Sequence, residues 1–176
     1  MKELSLNILD IAENSVKAGA TLTIISITET VDRLVIVIKD DGCGMSEDVV
    51  RSVVDPFYTT RTTRKVGLGI PLFKLAAEQT GGKLDIVSDT GENHGTTVTA
   101  SFNKDHLDFT PLGDVISSIT TLIQGHPDTD FLFTHRICDK EILLDTRELR
   151  SVLEDVPLST FEVLEWIREN LEDQYS

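Results

Sequence analysis

A chain of 176 residues, 40% hydrophobic and 26% charged, has the composition of an ordinary globular protein and is long enough for one cored domain with an appendage. Thirty acidic against sixteen basic residues give a formal charge of −14, a surface that repels nucleic-acid phosphates and anionic lipids and so argues against both as partners. No apolar run reaches the roughly 20 residues of a membrane span, and the opening Met1-Lys2-Glu3-Leu4 carries an acid at once, without a cleavage site, so the expected compartment is the cytoplasm. Cys43 and Cys138 sit in no Cys-x-x-Cys or zinc-type spacing and read as reduced thiols.

In chain order, Leu4, Ile8, Ile11, Ala12 and Ser15 repeat at helical spacing, which predicts a helix over 3–18 stopped by Gly19. Asp10 and Asn14, four apart, lie on one face of it, a spacing also found in any solvated polar stripe. Residues 21–28 alternate as a strand through Leu22 and Ile24, and 33–39 form a second, β-branched strand. Its end, Asp40-Asp41-Gly42-Cys43-Gly44, suits a tight turn. It also suits an aspartate accepting from a planar donor such as the exocyclic amine of adenine, with glycines letting the backbone approach closely. A short helix from Ser46 ends at Asp55-Pro56, and Phe57–Val66 follows with four threonines and three cations. That segment reads as a surface loop or as hydroxyls and cations that fold over phosphate groups.

Gly67-Leu68-Gly69 opens a helix through Leu72, Phe73, Leu75, Ala76 and Ala77 that stops at Gly81-Gly82. A glycine-rich entry to a helix N-terminus offers free N–H groups and a favourable dipole to anions. A hairpin pairs 84–87 with 95–102, with Val98, Ala100 and Phe102 facing the core. Composition then changes. Residues 112–124 form an amphipathic helix, 131–137 and 141–144 a short hairpin, 145–155 a helix with a capping box from Asp145 to Glu148, and Ser159 with Glu162 caps a last helix ending near Leu171. We divide the chain into a domain at 1–104 and an appendage at 105–176.

Each motif is weak singly, but their order is specific. Asn14 on the first helix, Asp-x-Gly-x-Gly after a strand, a threonine-rich loop, Gly-x-Gly into a helix and Gly95-Thr96 on a hairpin strand together resemble the GHKL superfamily of histidine kinase-like ATPases over about residues 4–103. Glu13-Asn14-Ser15 with Ala18-Gly19-Ala20-Thr21 looks like the mismatch-repair version of the first motif. Asp55-Pro56-Phe57-Tyr58-Thr59-Thr60 and Gly67-Leu68-Gly69-Ile70 look like the histidine-kinase lid and its hinge.

The resemblance implies an α+β fold, a two-layer α/β sandwich with a mixed sheet, and ATP and Mg²⁺ as cofactors. It implies that Asn14 ligates Mg²⁺, that Asp40 accepts from the adenine amine and that Gly42 and Gly44 make room for the ring. Thr59, Thr60 and Lys65 would belong to the mobile lid, Gly67, Leu68 and Gly69 would meet the phosphates, and Thr96 or Thr97 would support adenine. Asp10 stands where hydrolysing members and anti-sigma serine kinases carry glutamate, so it is the candidate base, one methylene shorter. Lys65 replaces a glycine, and no phosphoacceptor hairpin with a histidine precedes the first motif, which argues against a self-sufficient histidine kinase. The leading expectation is a Mg²⁺-dependent ATP-binding protein with slow hydrolysis or phosphoryl transfer, coupled to lid ordering and to a regulatory protein partner. The alternatives are an anti-sigma-type serine protein kinase and a non-enzymatic nucleotide-sensing adaptor.

Overall fold

The computed structural model describes residues 3–55 and 68–176. Six strands form one sheet: β1 (Leu22–Glu29), β2 (Arg33–Asp40), β3 (Lys83–Asp89), β4 (Gly95–Asn103), β5 (Asp130–Ile137) and β6 (Lys140–Asp145), in the order β3-β4-β2-β1-β5-β6. All neighbours are antiparallel except β1 and β5, which makes the sheet mixed. Against it lie α1 (Leu4–Lys17), α3 (Gly69–Gln79), α4 (Val115–Gly125) and α6 (Phe161–Tyr175), with the shorter α2 (Glu47–Val53) and α5 (Thr146–Leu153) at the margins. The fold is an α+β two-layer sandwich.

The core lies between the layers because each strand presents one apolar row to the helices. Ile25 and Ile27 of β1 sit beside Ile38 and Ile36 of β2, and Phe133 of β5 beside Ile25 on the other side. This differs from the face suggested by Leu22 and Ile24, which is only half-buried on the opposite side. Isoleucines on both faces of β1 make the alternation ambiguous, and pairing with β2 decides it. On α3 the buried stripe is Ile70, Phe73 and Ala77, while Leu72 and Leu75 point outward. Phe73 and Phe102 stack at a tilt, ring centroids 5.8 Å apart.

Residues beyond 105 share this core. The first N–H groups of α1 have no side-chain cap; the Leu4 and Ser5 amides donate instead to the carbonyls of Pro111 and Leu112, at 2.9 and 2.8 Å. Deep between β1, β5 and α6, the Tyr175 hydroxyl meets His135 Nδ1 at 2.6 Å and His135 Nε2 donates to Glu29 at 2.5 Å, with Lys104 3.2 Å from the other Glu29 oxygen. The His135 bond, working against burial and aided by Lys104, holds the Glu29 carboxyl below its ordinary range. Burial, then the Glu29 charge, pushes the Tyr175 phenol far up.

Three local readings change. The α5 cap is Asp145 accepting from the Arg147 amide at 3.0 Å, not a box with Glu148. The α6 N-cap is Thr160, whose hydroxyl turns back to the Pro157 carbonyl at 2.7 Å. Helix α6 also continues to Tyr175, because that residue anchors on His135. At the sheet edge Gln174 bonds both the N–H and the C=O of Leu143, at 2.8 and 2.9 Å, and so blocks β6 from further pairing.

Candidate functional site

The site has two ends. At the first, the C-terminal half of α1 meets the start of α3. Asp10, Glu13, Asn14 and Lys17 line a cavity of about 290 Å³ with Leu68, Gly69 and Leu72. Gly69, the first residue of α3, lies directly over α1: a Cβ built on it falls 3.4 Å from the Asp10 Cβ and 3.9 Å from Asn14 Nδ2. Asp10 and Asn14 share a face by their four-residue spacing, and α3 directs its N-terminus, which has no side-chain cap among the described residues and carries the positive dipole end, towards them. Among the described residues neither the Asp10 carboxylate nor the Asn14 carboxamide has a hydrogen-bond partner. Burial, and after it the Glu13 charge, raises the Asp10 carboxyl above its usual range, with Lys17 pulling it down. Such a carboxylate is a better proton acceptor than one in water.

At the second end, Asp40 closes β2. Its Oδ1 accepts from the Gly42 amide at 2.9 Å and the Thr96 amide at 3.2 Å, leaving Oδ2 without a partner among the described residues. Thr96 pairs with Asp40 across the β2–β4 ladder, and both follow the buried rows of their strands, through Ile38 and Val98. Thr97 pairs with Lys39 and belongs to the opposite face. Of the two threonines, the structure brings Thr96 to Asp40.

The glycines are needed because the chain approaches itself here. A Cβ on Gly42 would lie 2.9 Å from the Ala18 Cβ, and one on Gly44, whose φ is +77°, only 1.9 Å from the Asp89 carbonyl oxygen. The loop is therefore pinned between the end of α1 and the end of β3. Thr59, Thr60, Lys65 and Gly67 lie outside the described residues.

Several residues that build this end escaped the motif reading. Asp41, next to Asp40, turns the other way and accepts from the Thr21 amide at 2.7 Å, the Thr21 hydroxyl at 2.5 Å and the Leu22 amide at 3.1 Å. Burial acts upward on it, but these bonds hold its carboxyl below the usual range. Ser88 accepts from the Met45 amide at 2.7 Å and lies 2.7 Å from the Thr96 hydroxyl. His94 Nδ1 sits 2.6 Å from the Gly42 carbonyl. A pair of adjacent aspartates was the only available signal for the first; nothing local marks Ser88 or His94.

Residues 2–106 match the pattern shared by the histidine kinase-, DNA gyrase B- and HSP90-like ATPases. That stretch is more than half of the chain. The chain belongs to this family. Within it, the chain is 30% identical over 92 residues to sporulation kinase C of Bacillus subtilis and 33% identical over 102 residues to the sensor protein SrrB of Staphylococcus aureus. These alignments cover 52% and 55% of this chain but only 21% and 17% of those proteins. Among solved structures, the N-terminal domain of a DNA repair protein superposes with a TM-score of 0.59 at 18% identity, covering 82% of this chain and 53% of that one. The MutL ATPase domain of Aquifex aeolicus complexed with ADP gives 0.55 at 17% identity, covering 88% and 70%. At those identities the likeness is one of fold. No described helix is long and apolar enough to cross a membrane.

Proposed function

We propose that this histidine kinase-like ATPase domain binds ATP between the two ends of the site and hydrolyses it slowly. The observation that carries the reading is the Asp40 Oδ2 beside Thr96 at one end, together with Asp10 and Asn14 under the α3 N-terminus at the other, none of them with a partner among the described residues. Asp40 accepts from the adenine amine, with Thr96 supporting the same edge. The Leu68 and Gly69 amides, with Gly67 before them, donate to phosphate oxygens. Thr59, Thr60 and Lys65, outside the described residues, supply hydroxyls and a cation suited to phosphate oxygens.

Mg²⁺ fits this donor set. Among the described residues the hard carboxamide oxygen of Asn14 has no competing partner, and no group of three His, Cys, Asp or Glu side chains forms a self-sufficient cage. An ion held by one side chain and by substrate phosphates matches what Mg²⁺ prefers. When bound it supplies charge neutralisation between the phosphates. Asp10 orients a water in line with the γ-phosphorus and takes its proton as the new P–O bond forms and the bond to the ADP oxygen breaks. Thr97, on the other face, has no part in this.

The test is calorimetric titration of ATP with Mg²⁺ into the wild-type protein and Asp40→Asn. Loss of the charged acceptor is expected to weaken binding by about ten- to a hundredfold, the worth of a charge-assisted hydrogen bond. No binding by wild type at millimolar ATP overturns the reading. A second reading, phosphoryl transfer to a regulatory protein partner, draws its support from the kinase named among the relatives. It predicts label on an added protein substrate, whereas hydrolysis needs water alone. A cytoplasmic address belongs to either reading.

A further inference from the structure

His126 stands apart from every motif, yet its ring bonds a side chain of the cavity wall. Its Nε2 lies 2.7 Å from Glu13 Oε2, and because an ionised carboxylate can only accept, Nε2 carries the hydrogen and donates. Glu13 lines the cavity together with Asp10 and Asn14. The backbone that carries the ring is held by hydrogen bonds on both sides. His126 caps α4 through its amide to the Leu122 carbonyl at 2.9 Å, and its own carbonyl accepts from the Thr129 amide at 3.1 Å. Beyond the turn, the Asp130 amide donates to Thr21 at 2.9 Å, and the Asp130 carboxylate is held by Arg150 of α5 at 2.7 Å. The backbone at His126 is thus tied to α4 and, through the turn to Asp130, to β5 and α5.

We propose that His126 is a positioning residue for the nucleotide site, holding the Glu13 carboxylate at the cavity rim and away from the place of the phosphates. The proposal rests on the ATP-binding reading above. Glu13 follows Asp10 by three residues, precedes Asn14 and lines the cavity, so a carboxylate released from His126 can swing towards them. There its charge, which already acts on Asp10, comes nearer to it, with Lys17 the one cation among the described lining residues. The triphosphate is repelled by that charge. Residues beyond 105 thus contribute to the site through one hydrogen bond.

The experiment measures Mg·ATP affinity by calorimetry for wild type, His126→Ala, His126→Gln and the double variant His126→Ala/Glu13→Gln. His126→Ala is expected to weaken binding about tenfold, the order of one misplaced charge near a bound anion. His126→Gln, which keeps an N–H donor near the same point, retains most of the affinity. Glu13→Gln added to His126→Ala restores it, because no charge is left to misplace; damage to packing would not be repaired that way. Affinity unchanged in His126→Ala, or a loss that Glu13→Gln fails to reverse, overturns the proposal while the ATP site stands. Wild type that binds no ATP overturns both.

Discussion

The two ends of the site are built on opposite principles. Around Asp40 the chain is hydrogen-bonded to itself: one oxygen is held by two amides, Asp41 ties the turn to β1, and Ser88 ties it to β3. Around Asp10 the side chains share a cavity without bonding one another. On the proposed reading, the contrast follows from what each end has to do. Recognition of a flat base needs an acceptor aimed in advance, since freezing it on binding would cost affinity. Chemistry on a phosphate needs polar groups left unspent, and those groups cost stability in the ligand-free protein.

The contrast can be broken most severely at Gly44. Alanine there meets the Asp89 carbonyl at a φ of +77°, so Gly44→Ala should lower stability by roughly 2–4 kcal/mol. Urea denaturation reads this directly, and an unchanged midpoint would mean the loop is not pinned. Asp41→Ala comes next. It strips three donors of their acceptor and should cost about 2 kcal/mol by the same assay. Ser88→Ala leaves the Met45 amide without its acceptor and should cost about 1 kcal/mol, together with a loss of ATP affinity as Thr96 loosens.

The smallest effect should have the opposite sign. Asp10 has its carboxyl raised in the folded protein, so the native state binds more protons than the unfolded one through the carboxylate range, and its charge costs stability above that range. Asp10→Asn should therefore raise the melting temperature slightly at neutral pH, with the gain vanishing on acidification, while abolishing turnover and keeping ATP binding. The wild-type rate should fall with acid from a point above the ordinary carboxylate range. Glu29 runs the other way: lowered in the fold, it contributes stability above the unfolded value and loses it as pH falls through the folded one. Glu29→Gln should accordingly flatten the acid limb of a melting curve series.

What could be read in advance follows a physical division. Local chemistry was legible. The helix over 3–18, the glycine-bracketed aspartate at the end of β2, the glycine entry to α3 and the β3–β4 hairpin all rest on periodicity and turn residues within a few positions. The order of those motifs carried the family, and the observed elements follow it closely. Where the same residues served two faces equally, as in β1, periodicity could not choose; pairing with β2 did.

The sequence by itself determined which residues can sit on one helix face, so Asp10 and Asn14 travel together wherever α1 goes. It also showed that Asp40 ends a strand and that glycines follow it. Packing of distant segments was needed to bring Gly69 over Asp10 and Asn14, to put Thr96 rather than Thr97 on the face of Asp40, and to lay β5 from the second half of the chain against β1. It alone brought His126 to Glu13, 113 positions away. Spacing along a chain encodes the 3.6- and 2-residue periods of its local structure, whereas contacts between distant segments are set by how their buried faces close on one another, and no local pattern records that closure.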